Sequence, residues 1–286
     1  MGASFLITLR EGLEISIVLA ILIGYLVKTE RRHQLHAVWL GTAVAAVACI
    51  IAGIAVHSVT DTLEGKAEQA VEGSLALCAA IVLTYMILWM RKNARTMGGH
   101  LRDKVDGATS VAAVATVAFV GVAREGFETV LFLLGAETGS ASGAEVVIGG
   151  LLGLALSAVA GVLIYLGGSR IDLRTFFRYT GVLLILFAAG LVGKAFHEFR
   201  ELLGLETGWL IEPMWTIESG TLAEGTTFDF LKGLFGWSAD PERIRVITYF
   251  AYALPVLWLF LRPYSTPAAT APAEAEVVPE TTPTPA

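Results

Sequence analysis

Two short stretches place the same charged residues inside runs that are otherwise apolar. The surrounding segments, FLITLREGLEISIVL from residue 5 and FVGVAREGFETVLFL from residue 119, are identical at six of fifteen aligned positions. Ionisable side chains in such runs are costly to bury and usually mark a functional site. The charged residues are Arg10, Glu11 and Glu14 in the first copy and Arg124, Glu125 and Glu128 in the second.

The spacing of the glutamates indicates a shared site. Residues three apart lie on one face of a helix, so the two glutamates of each motif share a face. If the two faces meet, four carboxylates converge with two arginines. Such a cluster cannot stay fully ionised unless a cation or protons join it. Oxygen donors without thiolates favour hard metal cations, and the residues alone do not choose between a metal ion and protons.

A packing role for each motif is also open. The arginine and the second glutamate of each motif are four residues apart, so they could form an intrahelical salt bridge that only supports the fold. The duplication of the motif favours a site instead. A glycine stands between the two acids of each motif, Gly12 and Gly126. We expect these glycines to leave the backbone open to a neighbouring helix or to an ion.

The composition places these motifs in a membrane protein. Of 286 residues, 55% are hydrophobic and 16% are charged, and the mean hydropathy is +0.67. An average soluble domain is roughly half apolar and a quarter charged. The net charge of -6 argues against nucleic acid as a partner. Cys49 and Cys78 lie in apolar runs, which is typical of small core residues and not of a disulfide or zinc framework.

Seven apolar runs are long enough to cross a bilayer as helices, which takes about 20 residues. They cover residues 3–27, 37–58, 70–90, 108–136, 144–168, 176–199 and 244–261. An all-α polytopic membrane protein is predicted, because strands with open edges would leave backbone groups unpaired in lipid. The motifs fall in the first and fourth runs, which predicts an inverted repeat of two three-helix units plus a seventh helix.

This repeat gives the predicted organisation of the chain. The membrane domain, 1–262, divides into a first unit (1–91), a second unit (108–200), an outer loop (201–243) and the seventh helix (244–262). Residues 263–286 are rich in Ala, Pro, Thr and Glu, which predicts a disordered cytoplasmic tail. Basic residues follow the first, third and fifth runs, so the positive-inside rule predicts an N-terminus outside and a C-terminus in the cytoplasm.

Two Arg-Glu-Gly-x-Glu motifs in the first and fourth of seven helices resemble the oxidase-dependent high-affinity iron permease family, especially its short bacterial branch, the EfeU-type iron permeases. ILWMRKNAR (Ile87–Arg95) and AFHEF (Ala195–Phe199) add to this resemblance, which covers nearly the whole chain before the tail. The resemblance implies that the motif acids are iron ligands of a translocation path and that the motif arginines are their partners. These residues are Glu11, Glu14, Glu125, Glu128, Arg10 and Arg124.

The resemblance implies a permease and not an enzyme, one that carries iron inward across a bacterial plasma membrane. Iron is then the transported substrate, no cofactor is permanently bound, and iron-oxidising and iron-binding proteins outside the membrane are the implied partners. Two alternatives stay open: a proton-coupled carrier of another cation, and a membrane-embedded carboxylate-metal enzyme. Neither motif has a histidine three residues after a glutamate, which counts against the enzyme. The sequence leaves a homo-oligomer open.

Further residues could collect cations near the mouth of the path. Glu64, Glu68 and Glu72 are spaced four apart, which predicts a row on one face of the third helix. The row is either an attractive funnel for cations or a solvated helix start. His197 and Glu198, near the end of the sixth helix, offer an iron-ligand pair. Adjacent helical residues point about 100° apart, so both can serve only if the helix ends there.

Overall fold

The chain is all-helical where its structure is described. The computed structural model describes residues 2–93, 110–137, 143–166 and 173–262. The α-helices of these ranges are α1 Gly2–Lys28, α2 Leu35–Thr60, α3 Lys66–Asn93, α4 Val111–Glu137, α5 Gly143–Tyr165, α6 Leu173–Leu202, α7 Thr226–Phe235 and α8 Arg243–Leu261, with a 3-10 helix at Arg32–Gln34. The all-α prediction is confirmed over these residues. The predicted tail, 263–286, lies outside them.

Five helices of the described ranges are long and apolar enough to cross a membrane. They correspond to α2, α3, α5, α6 and α8. The two motif helices, α1 and α4, are not among them, because each carries the three charged residues of its motif. Five such helices make this a multi-pass membrane protein. The predicted total of seven crossings depends on where the charges of α1 and α4 lie.

The outward faces of α2 and α5 are strongly apolar. Ile51 and Ile54 on α2 are 62% and 61% exposed, and Leu151 on α5 is 61% exposed. A soluble protein rarely leaves contiguous apolar stripes of this length in water. These faces are therefore suited to contact with lipid chains.

Apolar clusters hold the motif helices on both sides of the motifs. The larger cluster joins α3, α6 and α8 to α1 and α4, with Leu83, Phe132 and Ile185 at its centre. The second cluster joins α1, α2 and α4 around Leu22 and Val38. Along both α1 and α4 the motif lies between these two clusters. A third, smaller cluster of Ala45, Val122 and Ala123 joins α2 to α4 next to the motif. α1 also packs along α5, and α2 along α4, while α3 packs against α6.

The short helix α7 was not predicted within the loop 201–243. It ends at Gly236, whose φ of 67° is the left-handed conformation that glycine adopts most readily. Gly190 of α6 faces this turn, and a Cβ built there would lie 2.9 Å from the Gly236 nitrogen. The ring of Phe230 lies against Gly2 at the start of α1. This part of the predicted loop is therefore packed against the helices and is not a free connection.

Candidate metal site

Three buried glutamates meet where α1 crosses α4. Glu11 and Glu14 come from α1 and are 1% and 2% exposed, and Glu125 comes from α4 and is 5% exposed. One carboxylate oxygen from each residue lies within 4.8 Å of the other two. These distances allow one cation to contact oxygens from both helices, inside the protein.

Glu128, the fourth motif acid, is not part of this group of three. Its Oε1 accepts a hydrogen bond from Arg124 Nε at 3.1 Å. Its Oε2 is buried and has no hydrogen-bond partner. The spacing predicted that all four acids converge if the two helix faces meet. The structure brings three of them together and holds the fourth on its arginine.

The two arginines lie in unequal surroundings. Arg10 is 2% exposed, and its terminal nitrogens lie 3.3 Å from Glu11 and 3.3 Å from Glu14. Arg124 is 47% exposed, and its Nε lies 3.7 Å from Glu125 Oε1 and 3.1 Å from Glu128 Oε1. Each arginine thus contacts both acids of its own motif, as their spacing along a helix allows. The arginines balance only part of the carboxylate charge.

Each motif acid keeps one buried oxygen that accepts no hydrogen bond. In Glu14 this atom is Oε1, which lies 3.3 Å from Arg10 but is not aligned to accept a bond. A buried acceptor without a partner costs roughly 1–3 kcal/mol, and more when it is charged. A cation or proton between these oxygens would remove that cost. The unpaired atoms are Glu11 Oε2, Glu14 Oε1, Glu125 Oε2 and Glu128 Oε2.

The glycine of each motif lies at a helix crossing. A Cβ built on Gly12 would overlap the Ser157 hydroxyl of α5. A Cβ built on Gly126 would lie 2.6 Å from Cys49 Sγ of α2. A side chain at either glycine would push the neighbouring helix away. Of the two expectations for these glycines, the structure favours the approach of a helix over the approach of an ion.

Two residues near the end of α3 contact the motif arginines, and sequence reasoning did not assign them to the site. Arg10 donates a hydrogen bond to Met90 Sδ at 3.2 Å. The Arg124 guanidinium lies 5.3 Å from the centre of the Trp89 ring. Both residues belong to the segment Ile87–Arg95, which only the family resemblance had singled out. Their place beside both motifs depends on how α3 packs, and no spacing pattern reveals that.

The acids proposed to collect cations do not form one row. Glu64 precedes α3, so the prediction that it shares a helical face with Glu68 and Glu72 is wrong. Glu68 is exposed on the first turn of the helix. Glu72 forms an ion pair with Lys194 of α6 at 3.2 Å. This pair joins α3 to α6, which is a structural contact.

His197 and Glu198 face different neighbours. α6 continues to Leu202, so the condition under which both residues could bind one ion is not met. His197 Nδ1 lies 3.1 Å from Glu242 Oε1 at the start of α8. Glu198 packs instead beside Gly73 of α3. A continuous helix turns the two side chains apart, so the structure does not bring them together as one ligand pair.

Replacing Lys194 by methionine is expected to destabilise the protein by about 3 kcal/mol, because the change leaves Glu72 partly buried without its cation. Thermal unfolding of the purified protein in detergent measures this loss. The double variant Lys194→Met with Glu72→Gln is expected to recover part of the stability. Lys66→Met, at the exposed start of α3, is the control. An unchanged unfolding temperature in Lys194→Met contradicts the assigned role of the pair.

A multi-pass helical protein with buried carboxylates between two crossing helices has the architecture of a membrane transporter. The model of the iron permease FTR1 family matches residues 1–266, and the chain belongs to this family.

Curated relatives agree with this assignment. The chain is 35% identical over 285 residues to the ferrous iron permease EfeU of Yersinia pestis, covering 97% of this chain and 99% of that protein. It is 36% identical over 281 residues to the ferrous iron permease EfeU of Yersinia pseudotuberculosis, and the match covers 96% of this chain and 97% of that protein. It is 35% identical over 269 residues to the Escherichia coli protein of that name, and the match covers 92% of this chain and 96% of that protein. No solved structure matches the chain. These relatives are named permeases, so the enzyme alternative is set aside.

Proposed function

We propose that the chain carries iron inward across the plasma membrane through the carboxylates of its paired motifs. The observation that carries this proposal is the meeting of Glu11, Glu14 and Glu125 in the protein interior, with oxygens within 4.8 Å of one another. Membership of an iron permease family supports iron as the substrate. The relatives named ferrous iron permeases support the divalent ion in particular.

The charge of the cluster suits a divalent ion. Four carboxylates and two guanidinium groups leave two negative charges uncompensated, which one ferrous ion balances. Carboxylate oxygens bind hard cations well, and the ion exchanges part of its hydration water for them. Transport requires binding that is favourable enough for entry and weak enough for release. The arginines favour release of the ion, because they already contact some of the carboxylate oxygens of each motif.

The proposal includes seven membrane crossings arranged as an inverted repeat. The glycine contacts support it, since Gly12 of α1 meets α5 and Gly126 of α4 meets α2. Exchanging the first three helices for the second three converts one contact into the other. The motif charges then lie between the two units and not against lipid. This position allows α1 and α4 to cross the membrane despite those charges.

Direction and partners complete the proposal. Basic residues after the first, third and fifth apolar runs support an N-terminus outside and a C-terminus in the cytoplasm. The plasma membrane of a bacterium fits the organisms of the relatives. Iron-oxidising and iron-binding proteins outside the membrane are proposed as partners on the basis of family resemblance.

Iron uptake by the purified protein in liposomes tests this function. Radioactive ferrous iron, kept reduced, and ferric iron are supplied in separate experiments, with protein-free liposomes as the control. We expect uptake of iron above the control that saturates with concentration. Ferrous uptake without any partner would show that the permease works alone, whereas a requirement for ferric iron would show that an oxidase must act first.

Proton movement recorded in the same liposomes distinguishes the remaining alternative. A pH-sensitive dye inside the vesicles reports protons that move with a cation. Proton flux driven by another cation, without any iron uptake, would replace the proposal with a proton-coupled carrier that uses the same glutamates.

A further inference from the structure

Consecutive residues of α3 contact the arginines of both motifs. Met90 Sδ accepts a hydrogen bond from Arg10 at 3.2 Å. The Trp89 ring lies under the Arg124 guanidinium, 5.3 Å from ring centre to guanidinium carbon. Neighbouring residues on a helix point about 100° apart, so one turn of α3 reaches two different helices. A single element therefore touches both halves of the carboxylate cluster.

We propose that Trp89 and Met90 are positioning residues that hold the two arginines and thereby keep the second oxygen of Glu11 and of Glu128 free for iron. The proposal rests on the iron transport function proposed above. On the α1 side, Arg10 donates to Glu11 Oε1 at 3.3 Å while it also donates to Met90. Glu11 Oε2 is left buried without a hydrogen bond.

The second motif has a similar chain of contacts, which ends at its second acid and not at its first. Arg124 lies over the Trp89 ring and donates to Glu128 Oε1 at 3.1 Å. Glu128 Oε2 is again buried without a hydrogen bond. In both motifs α3 contacts the arginine, and the arginine contacts one oxygen of an acid, Glu11 or Glu128, whose other oxygen has no hydrogen-bond partner. The repetition across two motifs argues against a chance contact.

The N–H donors of the guanidinium groups determine the direction in which the KM for iron should change. Arg10 is buried, and a buried N–H donor that loses its acceptor needs another one. Arg124 is half-exposed and would lose the position that the Trp89 ring gives its guanidinium group. In the two motifs, the acceptors without a hydrogen bond are the carboxylate oxygens proposed to bind iron. An arginine released by α3 would therefore compete with iron for those oxygens. The KM for iron should rise while the amount of folded protein stays the same.

Paired substitutions at each position test the proposal in the liposome uptake experiment. Met90→Leu removes the acceptor at nearly constant volume, and Met90→Gln restores an acceptor. Trp89→Leu removes the aromatic face, and Trp89→Phe restores one. We expect the two leucine variants to raise the KM for ferrous iron about threefold to thirtyfold, and the Gln and Phe variants to recover most of the loss.

Met86→Leu is the matched control, because Met86 is also buried on α3, one turn before Met90, in the same apolar cluster. Thermal unfolding in detergent is measured for every variant. If Met90→Leu fails to fold, the Trp89 pair decides the question on its own. We expect Met86→Leu to keep the wild-type KM.

Three outcomes would overturn the positioning role. The first is a wild-type KM in both leucine variants while Glu11→Gln abolishes uptake, a result that leaves the proposed function intact. The second is an equal rise in KM for Met86→Leu, or for the Gln and Phe variants, which shows a packing effect only. The third is normal uptake by Glu11→Gln, which removes the proposed function and this inference together.

Discussion

Iron uptake is expected to fall at least about 100-fold when Glu11 or Glu125 is replaced by glutamine. Each substitution keeps the size of the side chain and removes one charged oxygen donor from a cluster that is almost fully buried. Losing one partner of a buried charge interaction costs about 3–5 kcal/mol, and each 1.4 kcal/mol is tenfold in affinity. The measurement is the initial rate of ferrous uptake into liposomes at matched protein content.

The two substitutions also test whether both helices serve one path. If they do, the double variant Glu11→Gln with Glu125→Gln should transport no less than either single variant, because each already disables the same site. Glu224→Gln changes an exposed acid of the segment between α6 and α8 and is the control. Wild-type uptake in either single variant would mean that the motif is a salt-bridged packing element.

Gly12→Ala is expected to abolish transport while leaving the protein in the membrane. The new methyl group would overlap the Ser157 hydroxyl, so α1 and α5 must separate. Overpacking of this kind typically costs about 1–3 kcal/mol. It would also displace Glu11 and Glu14, which flank the glycine. Membrane content, thermal unfolding and iron uptake are measured together, and Gly12→Leu should have the same effect at greater cost in stability.

A compensating substitution shows whether Gly12→Ala acts through overlap with α5 or through a change in α1 itself. Ser157→Gly removes the atoms that the new methyl group would overlap, so the double variant with Gly12→Ala should regain part of the uptake. Gly24→Ala is the matched control, because it lies on the same helix and a Cβ there has no neighbour within 4 Å. Unchanged transport in Gly12→Ala would contradict the close approach of α1 and α5.

The parts of the site that depend on one helix were predictable from the sequence. The i,i+3 spacing of Glu11 and Glu14 places them on one face whatever surrounds the helix. The duplication of the motif pointed to the crossing of α1 with α4, where the structure brings Glu125 to the same place. The arginine contacts within each motif follow from the same local geometry.

The parts that depend on packing between helices were not predictable. The contact of Met90 with Arg10 joins residues 80 positions apart. Its existence depends on the rotation and tilt of α3, which no apolar pattern defines. The separation of His197 from Glu198 was not foreseen because the end of α6 was placed too early, and helix boundaries are the least reliable part of a sequence prediction. α7 was missed because it is a short helix in a segment with mixed polar and aromatic residues.

The crossing of α2 with α4 contains a buried cysteine whose labelling can report on movement of the two helices. Cys49 is buried there beside Gly126, with its Sγ 3.7 Å from the Ala123 carbonyl oxygen. The chain has two cysteines, and the other, Cys78, is exposed on α3. Changing Cys78 to serine leaves one thiol, whose alkylation requires α2 and α4 to part. The labelling rate of Cys49 then measures how often the two helices separate, with and without iron, in an otherwise natural protein.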